Sequence, residues 1–132
     1  MLIRQLSVFL ENRQGKFAEI ARLLGNNDIN MKAFTVSESA DFGIARIIVE
    51  REKIDSAYNL LKSHSYAVSI HQVNYLNSPN QPGAMAVAME ELCKAGVSIE
   101  YMYAFADDAS HNSHLVIRTS NDELANQILS EL

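Results

Sequence analysis

The sequence predicts an α+β chain made of two small β-α-β-β-α-β modules in tandem, the second lacking its last strand. Three observations carry this. In the first half, short alternating or β-branched apolar runs are interleaved with two amphipathic helical stripes. The same succession returns 68 positions later without a gap. No Gly or Pro separates the halves between Tyr66 and Leu76, so the last strand of the first module is expected to run straight into the first strand of the second.

Each element follows from its residues. Leu6, Val8 and Leu10 alternate with Ser7 and Phe9, the period of a strand. The cluster Asn12-Arg13-Gln14-Gly15 is a turn. Phe17, Ile20, Ala21 and Leu24 then fall at helical spacing, and Gly25-Asn26-Asn27-Asp28 ends that helix with residues that tolerate left-handed backbone angles. Residues 29–36 read as a second strand, 37–43 as a polar hairpin loop and 44–50 as a third strand rich in β-branched residues. A helix over about 53–63 carries Ile54, Ala57, Leu60 and Leu61. Tyr66, Val68 and Ile70 alternate as the fourth strand.

The second half replays this order. Asn80-Gln81-Pro82-Gly83 leads into a helix whose stripe is Met85, Ala88, Met89 and Leu92, each 68 positions after Phe17, Ile20, Ala21 and Leu24. Ile29 maps to Val97, and Ile47-Ile48-Val49 to Leu115-Val116-Ile117. Identities are few, among them Asn12/Asn80, Gly15/Gly83, Ala57/Ala125 and Leu61/Leu129. The weight lies in stripes, turns and strands keeping register together. The expected modules are 1–70 and 71–132. The missing last strand would bare an edge of the second module's first strand, for a partner copy, the other module or further C-terminal residues to cover.

Composition narrows the function. Apolar residues make up 48 % and charged residues 20 %, the profile of a folded, soluble protein. Eleven basic residues are scattered among sixteen acidic ones, for a net charge of -5, which argues against a nucleic-acid partner. No stretch suits a membrane span or a signal peptide, and the lone Cys93 forms no internal disulfide or metal pair, so a cytoplasmic protein is expected. No cofactor and no metal are expected. His111 and His114 with Asp107 and Asp108 match no usual zinc spacing and read as a solvated loop. Cys93 reads as a small buried residue, and Phe17, Met85 and Met89 as core.

The Asn12-Arg13-Gln14-Gly15 turn before an amphipathic helix, with Asp28-Ile29-Asn30-Met31 opening the second strand, resembles the ACT domain, whose usual turn reads Asn-Arg-Pro-Gly. Asn80-Gln81-Pro82-Gly83 and Gly96-Val97-Ser98-Ile99 stand in the matching places of the second half. Gln14 departs from the family's proline, and Ser98 from its asparagine. The resemblance covers nearly the whole chain and implies a ferredoxin-like fold. It also implies a freestanding regulatory function: binding of a free amino acid at interfaces between such modules, with no catalysis.

The residues suit such a ligand. A helix start presents unpaired N–H groups and the positive end of the helix dipole to a carboxylate, and glycine lets it approach the backbone. Asparagine amides donate and accept, so they serve ammonium or carboxylate alike. The candidate ligand set is Asn12, Gln14, Gly15, Lys16, Phe17 and Asn30 in the first module, and Asn80, Gly83, Ala84, Met85 and Ser98 in the second. The helix carries the chain away from its turn, so spacing alone does not bring Asn30 to Asn12. The expected partners are a free amino acid, a second copy of the chain, and a metabolic enzyme or regulator. The alternative is a ligand-free adaptor that associates through its sheets. Tandem RNA-recognition modules share the element order, but 44–48 and 113–117 carry no aromatic residues for base stacking. An enzyme lacks a nucleophile–base pairing or a phosphate loop.

Overall fold

The protein is described from a computed structural model covering residues 1–11, 14–38 and 42–132. The elements are β1 (Leu2–Glu11), α1 (Lys16–Asn26), β2 (Met31–Glu38), β3 (Phe42–Val49), a 3₁₀ turn at Arg51–Lys53, α2 (Ile54–Ser63), β4 (Val68–Pro79), α3 (Ala84–Lys94), β5 (Ile99–Asp107), β6 (Asn112–Thr119) and α4 (Asp122–Ser130). Both helices of the first half recur 68 positions on, as α3 and α4. By compactness the chain divides into two units: Arg4–His71, and Gln72–Leu132 together with Met1–Ile3.

In the N-terminal unit the strands bond in the order β2-β3-β1-β4. β1 and β3 are antiparallel from Leu6↔Ile47 to Glu11↔Phe42, and β2 and β3 from Met31↔Val49 to Glu38↔Gly43. The period of two sends Leu6, Val8, Leu10, Ala45, Ile47 and Val49 to one face. Ile20 and Leu24 of α1, with Ile54, Ala57 and Leu61 of α2, close over them in one buried cluster. Phe17 is half-buried against its margin.

Three boundaries differ from the sequence expectation, for backbone reasons. Ile29 is not yet strand, because its N–H closes α1 by donating to Leu24 O at 3.0 Å. Tyr66 is held the same way by Leu61 O at 3.1 Å, so β4 begins at Val68. Ser37, Glu38 and Gly43, expected in a loop, belong to the β2–β3 ladder, and Phe42 pairs with Glu11 of β1, since ladder hydrogen bonds do not depend on side-chain polarity.

The C-terminal unit carries β4, β6 and β5 side by side, paired from Asn74↔Ile117 to Pro79↔Asn112 and from Ile99↔Thr119 to Asp107↔Asn112. Ala88, Leu92, Val97, Leu115, Ile117, Ala125 and Leu129 form its core. Val97 repeats the closure of Ile29, its N–H donating to Leu92 O at 3.0 Å. Asn121 caps α4, its Oδ1 accepting the Leu124 N–H at 3.1 Å. Thr119 secures the same turn, its N–H and hydroxyl donating to Asp122 Oδ1 at 2.9 and 2.8 Å. Beside Tyr75 on β4 the unit's own Met1 is bonded. Tyr75 N–H donates to Met1 O at 2.8 Å, and the Met1 amino group donates to Tyr75 O at 3.0 Å.

Candidate functional site

Both α1 and α3 start from a glycine in the left-handed region: Gly15 at φ 88, ψ 0, and Gly83 at φ 87, ψ −14. An L side chain rarely takes such angles, which is the reason for glycine here. Nothing lies within 4 Å of where a Cβ would stand at either position, so each turn opens onto free space. Glycine brings no capping side chain, in contrast to Asn121 at α4. The positive end of each 11-residue helix therefore meets its surroundings through backbone alone.

Beside the first of these turns lies a cleft of about 810 Å³ within the N-terminal unit. Its walls are the end of β1 (Phe9, Leu10 and Glu11), the stripe of α1 running from Lys16 through Glu19, Arg22 and Leu23 to Asn26, and the segment His64–Ala67 that leads into β4, with Phe42 completing the rim. Glu19 Oε2 accepts a hydrogen bond from Tyr66 Oη at 2.9 Å and an ion pair from Lys16 Nζ at 3.4 Å. The Lys16 ammonium lies 5.9 Å from the Tyr66 ring centroid, and only 17 % of its side chain is exposed. Arg22 is exposed, with no partner among the described residues. Glu19 and Arg22 escaped the sequence reading although they share a helical stripe with Lys16. Tyr66 is 47 positions from Glu19, a contact that no local pattern discloses.

The other sequence candidates are placed as follows. Asn12 lies outside the described residues. Gln14 is exposed beside Gly15, and Lys16 and Phe17 are half-buried in the first turn of α1. Asn30 does not join them within the unit. Glu11, just before the turn, pairs with Phe42, whereas Met31, just after Asn30, pairs with Val49. The two positions thus stand at opposite ends of β3, about 24 Å apart at roughly 3.4 Å per residue. The C-terminal unit repeats this separation, with Asn80 beside the Asn112 end of β6 and Ser98 beside the Thr119 end. Asn80 is already engaged: its Oδ1 accepts from Ser113 Oγ at 3.2 Å and its N–H donates to His111 O at 2.9 Å. Ser98 N–H donates to Ser120 Oγ at 3.0 Å. Ala84 N–H donates to Gln81 O at 3.3 Å. Met85 is 37 % exposed, not in the core, since it lies in the first turn of α3, ahead of Ala88 and Leu92, which the helix buries.

A family model described as an ACT domain pair matches residues 1–131. The chain belongs to that family.

This ACT pair is similar to protein BT0572 from Bacteroides thetaiotaomicron, at 42 % identity over 99 % of this chain and 88 % of that one, with a TM-score of 0.91. Its fold is also that of the ligand-free regulatory subunit of aspartate kinase from Thermus thermophilus (TM-score 0.70, 11 % identity, 99 % of this chain and 96 % of that one). The corresponding subunit from Thermus flavus gives a TM-score of 0.68 at 12 % identity, over 99 % and 94 % of the two chains. No curated protein matches the chain.

Elsewhere in the ACT pair, no group of His, Cys, Asp and Glu able to hold a metal ion occurs among the described residues. His114 instead stacks on Phe105, ring centroids 4.8 Å apart, and bonds to the Tyr75 hydroxyl. Cys93 is exposed, contrary to the buried position expected, because it follows Leu92 on the outer side of α3. Among the described residues no helix is long and apolar enough to cross a membrane.

Proposed function

We propose that this ACT pair is a non-catalytic regulator that binds a free amino acid at the glycine turns opening α1 and α3. The observation that carries the reading is the open, uncapped glycine turn at a helix start, in the same conformation in both units. Such a turn offers backbone N–H groups and a positive dipole end to a carboxylate, with no Cβ in the way. At the first turn, charged groups of both signs stand beside it, as a zwitterion requires. Similarity of fold to regulatory subunits of aspartate kinase fits a regulator that carries no active site of its own.

The chain would work in the cytoplasm as a homodimer, or docked on a metabolic enzyme or another regulator. Ligand shifts its assembly by binding one arrangement better than another. Asn30 and Ser98, remote from the turns of their own units, would not reach a ligand seated there. The adaptor reading has its own support in the apolar residues exposed on the edge strands, Phe34 (52 %) and Val36 on β2 and Ile99, Met102 and Phe105 on β5.

Thermal denaturation with each of the twenty amino acids at millimolar concentration separates the two. A ligand at about 100 times its Kd stabilises the fold by about 2.7 kcal/mol and raises Tm by several degrees. An unchanged Tm with all twenty contradicts the regulator and leaves the adaptor.

A further inference from the structure

We infer that the ligand is an α-amino acid with an apolar side chain, seated in the cleft beside α1 with its carboxylate on Arg22, and that each chain takes one. This rests on the amino-acid-binding reading above and narrows it to one unit and one ligand class.

The charges of the cleft decide it. Lys16, Glu19 and Tyr66 are tied to one another, which leaves the Arg22 guanidinium exposed on the cleft wall with no partner among the described residues. A guanidinium presents a planar fork of donors that fits a carboxylate in two-point contact. Glu19 lies three residues from Arg22 on the same helix, roughly 5–6 Å away between Cβ atoms. An amino-acid head group therefore finds positive and negative partners on one face of α1. Beyond them the cleft offers Leu10, Leu23 and Phe42. His64, the remaining titratable group of its far wall, has Nδ1 within 3.0 Å of Leu60 O. Glu11, the other carboxylate of the wall, is already engaged, so a charged side chain would lose water against Leu10, Leu23 and Phe42 at a cost that an apolar one avoids.

The second unit lacks this chemistry. The positions 68 residues after Lys16, Glu19 and Arg22 are Ala84, Val87 and Glu90. Glu90 reverses the charge of Arg22 and would repel a carboxylate; Val87 is 52 % exposed and offers nothing to an ammonium. The repeat conserves the turn but not the head-group partners, so the ligand count is one.

Isothermal titration of the full chain with L-leucine, L-isoleucine, L-valine, L-methionine and L-phenylalanine, against L-glutamate and L-lysine, tests this. The expected result is one site per chain, with at least one apolar amino acid bound roughly tenfold or more tighter than either charged one. Arg22→Ala should weaken that binding about tenfold or more, Arg22→Lys less, and Glu90→Ala not at all. Arg22 is exposed, so both of its variants should keep the wild-type circular dichroism and melting curve. Two sites per chain, preference for a charged amino acid, or full affinity in Arg22→Ala would overturn the inference while leaving the regulator intact. Failure of all twenty amino acids to bind the wild type would remove the regulator reading and this inference together.

Discussion

At Gly15 and Gly83 the backbone takes angles that an L side chain reaches only with strain, yet no neighbouring atom would obstruct a methyl group. An alanine at either site therefore meets a torsional penalty alone. Gly15→Ala and Gly83→Ala are each expected to cost about 1–2 kcal/mol, read as a lower urea midpoint with unchanged slope. Equal stability to wild type would mean that these turns do not hold the left-handed geometry. Asp107 gives a pH-dependent counterpart in the β5–β6 hairpin. The Ser110 hydroxyl, then the Ala109 N–H at 3.0 Å, hold its carboxyl below the ordinary 3.8. The unfolded chain takes up this proton first as pH falls, so the contribution is complete above 3.8 and is lost as pH drops through the lower folded value. An NMR titration of the Asp107 side chain should show a midpoint below 3.8, and one at or above that value contradicts the capping contact. At this scale the sequence disclosed the glycines, because turn chemistry is local. It did not disclose the Tyr66–Glu19 bond or that Arg22 has no partner among the described residues, both of which depend on which residues folding brings together.

The elements were legible where period and punctuation agree, and less so where the backbone spends its donors across a boundary. Ile29 and Tyr66 look like strand residues, but each gives its N–H to the closing turn of the preceding helix. The continuity of β4 could be read from the absence of Gly and Pro between the halves, whereas the bonding of Met1 to Tyr75 could not. A testable consequence attaches to that contact. Deleting residues 1–3 removes the Met1–Tyr75 backbone bonds and the half-buried Leu2 and Ile3. The loss should destabilise the C-terminal unit by on the order of 2 kcal/mol. Hydrogen exchange at the Tyr75 amide should accelerate markedly in the deletion variant. Unchanged protection there would show that Met1 is not what protects the Tyr75 amide.

For the whole molecule, duplication explains why two units share helix registers and glycine turns, and divergence explains why their surfaces differ. Core positions repeat because each copy must bury the same face: Ala57 and Leu61 return as Ala125 and Leu129, all buried. Surface positions are free to change, and Arg22 has its counterpart in Glu90. The pattern of the fold was therefore legible, while the difference we propose between the halves emerged only once the cleft was located. The most direct test of the central claim, an amino acid at the start of α1, is a ¹H–¹⁵N correlation spectrum of the full chain titrated with the amino acid that most raises Tm. The account predicts that the largest amide shifts fall on Gly15, Lys16 and Phe17, with Glu19 and Arg22 close behind. Largest shifts confined to residues outside that turn and cleft, or a spectrum unmoved at saturating millimolar ligand, would contradict it.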